Sequence, residues 1–143
     1  MSNDAHVPPN YHQEAVADYL RLLRTGDEDG AFFGLIDLGP GIGPQLLAAF
    51  PALPAPAERE FVLRVLWEMR APQALPLLAE VLRDRRDNCW RTALDGLVAF
   101  ARPEAVGILE AAIAEEARSP QPNTVFLEWA REALEQAREA CRQ

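Results

Sequence analysis

The sequence contains no lysine, so all 14 of its basic residues are arginines. This absence excludes mechanisms that require a lysine, such as a Walker-type phosphate loop, Schiff-base chemistry or a Ser-Lys pair. The 22 acidic residues bring the formal net charge to −8. An acidic surface repels nucleic acid phosphates and attracts basic proteins, so the composition predicts a basic protein partner and no nucleic acid.

Cysteine and histidine are also scarce, with two of each. Cys89 and Cys141 form no CxxC pair, which predicts reduced thiols that are buried or half-buried. His6 and His12 are too few and too peripheral for a zinc site or a Ser-His-Asp arrangement, and we expect them to be exposed to solvent. The sequence therefore predicts no catalytic residue, no metal and no cofactor.

Long apolar runs are missing as well. No segment approaches the roughly 18 to 20 apolar residues of a membrane span, and the first ten residues lack the basic and apolar regions of a secretory signal. We therefore expect a cytoplasmic protein with no membrane contact. The 143 residues, 49% of them hydrophobic, predict one domain over 1–143 with residues 1–10 flexible.

An internal repeat is present in the middle of the chain. The stretches "GPGIGPQLLAAF", "APQALPLLAEVL" and "RPEAVGILEAAI" begin at positions 39, 71 and 102. Their prolines coincide, as do apolar positions at helical spacing, and another apolar helical pattern precedes each stretch. A period near thirty residues of helix, turn and helix is typical of an α-solenoid, in which each pair buries its apolar face against its neighbours.

The repeat predicts an all-α fold, a right-handed α-solenoid of about three helix pairs with capping helices at both ends. A first helix is expected over 11–25 behind the cap Asn10, and a last helix over 124–141 behind the cap Asn123. The predicted pairs are 29–38 with 40–50, 57–69 with 72–84, and 88–101 with 103–117.

The glycine-rich stretch "GPGIGPQ" has two possible interpretations. A dinucleotide-binding loop would need a third glycine where Leu46 stands and a preceding strand, and a P-loop would need a lysine. The stretch aligns with "RAPQALP" and "ARPEAVG" in the other repeats. We therefore predict a tight turn between two helices, for which Gly39, Gly41 and Gly43 provide the freedom.

Residues 87 to 113, "DNCWRTALDGLVAFARPEAVGILEAAI", resemble a HEAT repeat of the short bacterial, phycobilisome-lyase-like kind. The pattern is an acid, a large apolar residue with an arginine, small and apolar residues at helical spacing, and then Pro-acid-Ala. The match is carried by Asp87, Trp90, Arg91, Ala93, Leu94, Leu97, Pro103, Glu104, Ala105 and Leu109. The resemblance extends over residues 29 to 118 and implies a protein-binding scaffold, seldom a catalyst.

The resemblance also implies that the second helix of each pair lines the concave face. The candidate partner-binding residues are then Gln73, Glu80, Asp84, Glu104 and Glu115, joined on the last helix by Glu128, Trp129 and Glu132. The acids on these second helices, Glu80, Asp84, Glu104 and Glu115, would form a stripe that attracts a basic protein. Trp67 and Trp90 are predicted to pack in the core, Asp87 to pair with Arg91 along a helix, and Glu115 and Glu116 to lie at the surface.

Three functions remain open from the sequence. We favour an immunity or antitoxin-type protein that neutralises a cognate bacterial toxin by direct binding, which rests on size, acidity and fold analogy. An adaptor or assembly factor for a host enzyme, including one that binds a tetrapyrrole, is the alternative. A small hydrolase that uses paired carboxylates ranks last.

Overall fold

The computed structural model describes residues 11–143, which form eight α-helices and contain no strand. The fold is therefore all-α, as the sequence predicts. The helices are α1 Tyr11–Arg24, α2 Glu28–Leu38, α3 Gly43–Ala49, α4 Pro56–Glu68, α5 Leu75–Val81, α6 Cys89–Phe100, α7 Pro103–Ala117 and α8 Thr124–Arg142. His6, the cap predicted at Asn10 and the flexibility predicted for residues 1–10 lie outside the described residues.

All the helices expected within the described range form, but α3 and α5 are shorter than the segments 40–50 and 72–84 predicted for them. A 3₁₀ turn precedes each, at Pro40–Ile42 and at Pro72–Ala74. A proline at the first position has no amide to donate, and the tighter bonding pattern satisfies the groups that follow it. At the other end of the chain, the predicted cap Asn123 is confirmed, since its side chain accepts from the amide of Phe126.

Four residues among 11–143 have positive φ angles, and all of them except Gly26 recur at equal intervals along the chain. Gly39, Arg70 and Ala101 have positive φ angles of 87°, 53° and 52°, and they are 31 residues apart. Each amide donates to the carbonyl three residues earlier, at 3.0, 2.9 and 3.1 Å respectively. A residue in this region ends a helix and turns the chain towards the next one. The "GPGIGPQ" stretch thus begins with the predicted turn between helices, at Gly39, but its last three residues already belong to α3. Gly43 is helical, with φ −49° and ψ −51°, so the freedom predicted for it is not used.

Helices that are close in the sequence pack against one another. The even-numbered helices contact one another in the order α2, α4, α6 and α8, and among the odd-numbered helices α1 contacts α3, and α5 contacts α7. Each odd-numbered helix also contacts the even-numbered helix that follows it. Of the three predicted pairs, α6 and α7 pack closely, whereas α2 with α3 and α4 with α5 do not. The buried apolar residues form one cluster that extends from Val16 to Ala137. Each helix therefore buries its apolar face mainly against near neighbours in sequence.

Two tryptophans contribute to this packing. Trp90 is buried, and Trp67 is half-buried against the core, which confirms that both are packing residues. Gly96 on α6 lies directly against Trp67 on α4, because a Cβ added to Gly96 would come within 2.6 Å of the indole Cε3. The missing side chain allows α4 and α6 to approach closely.

Several predictions about single side chains are wrong. Asp87 lies before α6 begins, so the helical spacing to Arg91 does not exist, and its carboxylate pairs with Arg59 instead. Glu116 is only 9% exposed, whereas Glu115 is at the surface as predicted. Cys141 is exposed, while Cys89 is buried as expected.

No single helix among residues 11–143 is long and apolar enough to cross a membrane. The segments Glu28–Leu38 and Pro40–Ala52 meet the length and composition criteria only when joined, across a bend of 101°.

Candidate binding pocket

The structure does not bring the eight predicted binding residues to one site. All are at least partly exposed, and Trp129 is 45% exposed. Glu80 and Asp84 line a common pocket, and Glu115 lines a different one. The remaining five, Gln73, Glu104, Glu128, Trp129 and Glu132, line neither of these two pockets.

Most acids of the predicted stripe are paired with arginines of this chain. Asp84 pairs with Arg86, Glu104 with Arg102 at 3.4 Å, and Glu115 with Arg83 at 3.5 Å. Glu80 has no ion-pair partner among residues 11–143. The stripe is thus largely neutralised within the chain, and Glu80 is its available carboxylate.

The pocket that contains Glu80 and Asp84 has a volume of about 280 Å³. We call it the acidic pocket. It lies where the end of α3, the start of α4, helix α5 and the residues before α6 meet. Its apolar lining is Phe50, Pro51, Leu77 and Val81, and its polar lining is Arg59, Glu80, Asp84, Asp87 and Cys89. The lining therefore combines three carboxylates and one guanidinium with an apolar surface.

Asp87 and Arg59 form a fixed pair at one side of the acidic pocket. The Arg59 guanidinium donates to Asp87 Oδ2 and, at 3.0 Å, to the carbonyl of Leu53. Asp87 Oδ1 also accepts from the amide of Cys89 at 2.8 Å, which caps the start of α6. Burial alone would raise the pKa of Asp87, but the hydrogen bonds from Cys89 and Arg59 outweigh it, and the pKa is lowered. Both groups thus remain charged and positioned at neutral pH.

The thiol of Cys89 lies beneath this pair. Its Sγ is 3.8 Å from the carbonyl oxygen of Pro56, to which it donates. Burial, followed by the hydrogen bond and negative charge of Asp87, raises the pKa of Cys89 to about 12. The thiol therefore stays protonated at neutral pH and is a poor nucleophile.

Asp84, which lines the acidic pocket, already binds a guanidinium group, although that arginine extends into solvent and does not line the pocket itself. Arg86 Nε and Nη2 lie 2.9 and 2.8 Å from the two carboxylate oxygens of Asp84, a bidentate arrangement. This hydrogen bonding, together with the amide of Arg86, lowers the pKa of Asp84 to about 2. The carboxylate therefore stays ionised throughout the neutral range.

The sequence predicts two lining residues of this pocket and misses the others. Arg59 was assigned no role, and Asp87 was placed in a helical pair with Arg91. Phe50 and Val81 received no prediction of their own, and both are buried apolar residues. The recurring 31- to 32-residue interval places the ends of α3 and α5 side by side, and it was the one signal that could have indicated a pocket between them.

Trp129 belongs to a separate aromatic cluster on α8. The guanidinium carbon of Arg91 lies 4.7 Å from the Trp129 ring centroid and 5.1 Å from that of Trp90. The two indoles also meet edge to face, with centroids 6.2 Å apart. Arg91 and Trp90 thus support one side of Trp129, although much of its surface faces solvent.

The chain matches no protein-family model, no curated protein and no solved structure.

Proposed function

We propose that this chain is a non-enzymatic, cytoplasmic protein-binding module with a HEAT-like α-solenoid fold. Two observations support the solenoid. The left-handed residues at 39, 70 and 101 repeat at the interval of the sequence pattern. The even-numbered helices contact one another in sequential order, as expected when helix pairs stack in a row.

The acidic pocket is the observation that supports a basic protein partner. Its lining carries three carboxylates and one guanidinium, and Glu80 has no partner among the described residues. Its volume of about 280 Å³ falls just below the roughly 300 to 1,000 Å³ of pockets that bind small molecules. A single long basic side chain of a partner protein suits both the size and the charge.

The overall charge of −8 supports the same kind of partner over a longer range. Complementary charge accelerates the encounter between proteins and disfavours acidic competitors. We therefore propose an immunity or antitoxin-type role, in which the chain binds a basic bacterial toxin domain and blocks its active site or substrate groove.

Affinity capture tests this proposal. The tagged chain, its Glu80→Lys variant and a Glu68→Lys control are each incubated with extract of the cells that express it. Glu80 and Glu68 are both exposed and lie in the last turn of a helix, so the two changes alter helix stability and net charge alike. We expect one basic protein to be retained by the native chain and the control, and to be lost from Glu80→Lys.

The captured protein must then lose its own activity when titrated with one equivalent of the chain. Retention of a single partner whose activity is unaffected would contradict the immunity role and favour an adaptor. Retention of no protein, or equal retention by all three forms, would contradict binding through the acidic pocket.

A further inference from the structure

Asp84, one of the carboxylates that line the acidic pocket, already binds an arginine of this chain, which shows how a cation can be held there. Arg86 binds both oxygens of Asp84, although its side chain is 90% exposed. An ion pair this exposed contributes little to stability, so it is readily exchanged for a better partner. The Asp84 carboxylate is therefore oriented to bind a guanidinium, but its present partner Arg86 is held weakly.

Glu80 lies on α5, one helical turn before Asp84, which is in the turn that follows α5. Both carboxylates line the pocket. Arg86 contacts Asp84 but has no hydrogen bond to Glu80. A side chain that entered from outside could reach both carboxylates, since both line the same space. It would gain a second charged acceptor that Arg86 does not use.

The wall of the pocket favours arginine over lysine. Phe50, Leu77 and Val81 provide an apolar surface beside the carboxylates, including one aromatic ring. A planar guanidinium is weakly hydrated, stacks on aromatic rings and binds carboxylates with two parallel hydrogen bonds. An ammonium group is strongly hydrated and offers no planar face, so its transfer to this site is less favourable.

We propose that the acidic pocket binds one arginine side chain of the partner protein, whose guanidinium displaces Arg86 from Asp84 and also contacts Glu80. This inference rests on the proposed function, because it names the group through which a basic partner is recognised. Arg86 is then an internal competitor that reduces the affinity of the free chain for its partner.

The test uses N-acetyl-arginine methylamide, with the lysine and citrulline analogues as comparisons, and follows the backbone amide signals of the ¹⁵N-labelled chain. We expect saturable shifts at Val81, Asp84 and Cys89, with the arginine analogue about fivefold tighter than the lysine analogue. The uncharged citrulline analogue should cause no saturable shift. Equal binding of all three analogues, or shifts confined to other regions, would overturn the proposal.

Two variants should change the affinity in opposite directions. Glu80→Gln should weaken binding of the arginine analogue by about fivefold, and Arg86→Gln should strengthen it by about threefold. Glu68→Gln and Arg131→Gln repeat the same charge changes at exposed positions that do not line the pocket, and should leave the affinity within about twofold. If Arg86→Gln has no more effect than Arg131→Gln, Arg86 does not compete for the site.

The outcome of this binding experiment is independent of the outcome of the capture experiment. If a basic partner is retained and inhibited, but the pocket does not bind the arginine analogue, the inference is wrong and the proposed function stands. If the analogue binds in the pocket while no protein is captured, the arginine site stands and the proposed function is wrong.

Discussion

Two pockets of similar size lie on either side of α5. The acidic pocket, of about 280 Å³, lies between the ends of α3 and α5. A second pocket, of about 240 Å³, lies between the ends of α5 and α7 and contains two arginines and two glutamates. We call it the balanced pocket. Asp84 of the first and Glu115 of the second are 31 residues apart, so the two pockets occupy corresponding places in the repeat.

One contribution to the difference in charge between the two pockets comes from a single position of the repeat. Arg83 in the balanced pocket stands 32 residues after Pro51 in the acidic pocket. The Arg83 guanidinium reaches Glu115 across the pocket, with 3.5 Å between Nε and Oε2. Proline has no group that could do the same, and Asp84 instead binds Arg86 from the turn that follows it. This replacement is one of the differences that give the balanced pocket two arginines for its two glutamates and the acidic pocket one arginine for its three carboxylates.

The balanced pocket also contains a buried network that fastens the last helix. Glu116 pairs with Arg85, and its Oε2 accepts from the amide of Asn123 at 3.0 Å. The Arg85 guanidinium carbon lies 3.8 Å from the centroid of the Phe126 ring. The end of α7, the turn after α5 and the start of α8 are therefore held together by one ion pair. The comparison shows that burial, more than residue type, determines whether a carboxylate is held in a structural ion pair or can bind a partner.

Glu116→Gln should have the largest effect on stability. The amide can still accept from Asn123, but the positive charge of Arg85 is left without its partner in a largely desolvated place. We expect the free energy of unfolding to fall by about 2 to 3 kcal/mol, measured by urea denaturation.

Glu115→Gln is the matched control, because Glu115 is the neighbouring glutamate in the same pocket but is exposed. Its change should stay within about 0.5 kcal/mol. Equal losses of unfolding free energy for the two variants would show that the burial of Glu116 does not increase its contribution to stability.

The sequence predicts the helices well, because apolar spacing and proline positions are local signals. The last four helices begin or end within a few residues of their expected bounds, and α7 agrees at both ends. The αL residues Arg70 and Ala101 were not foreseen, since neither is the glycine that this conformation favours. Their recurrence depends on how consecutive helices pack, which no local propensity reveals.

The site was predicted less well, because its properties depend on which charges face each other. Glu115 and Glu116 are identical in sequence terms, yet one is exposed and the other is a buried partner of Arg85. Arg85 and Arg86 are likewise adjacent, and one stacks on Phe126 while the other extends into solvent. A run of charged residues in the sequence therefore predicts an exposed segment. Only the packing of α5 against its neighbours shows which carboxylates remain available to bind another protein.

Asp87→Asn should have an intermediate effect. The asparagine oxygen can still cap the amide of Cys89, but the charge that holds Arg59 is lost. We expect a loss of about 1 to 2 kcal/mol at pH 7, measured by urea denaturation.

The pH dependence of this loss checks its cause. The pKa of Asp87 is lowered in the folded chain, so its contribution is present above the unfolded pKa near 3.8 and is lost as the pH falls through the folded value. The difference between Asp87→Asn and the native chain should therefore narrow below about pH 4. A difference that stays constant down to pH 2 would mean that it arises from packing and not from the charge.

Pro51→Arg tests whether one position accounts for the difference between the two pockets, and it should have the smallest effect on stability. The new guanidinium should reach Asp84 as Arg83 reaches Glu115. Loss of the proline ring costs about 0.4 to 1 kcal/mol and an exposed ion pair contributes a similar amount, so the free energy of unfolding should change by less than about 1 kcal/mol. Binding of the arginine analogue, followed by amide shifts, should nevertheless weaken by about fivefold, because the new guanidinium reduces the excess negative charge and competes for Asp84.

Pro51→Gln separates the charge from the loss of the ring. Glutamine removes the proline and fills similar space, but it carries no positive charge, so it should keep the affinity for the arginine analogue within about twofold. If glutamine and arginine weaken binding equally, the ring of Pro51 shapes the pocket and its neutrality is incidental. If only arginine does, the neutrality of position 51 is one reason that Asp84 remains available in the acidic pocket.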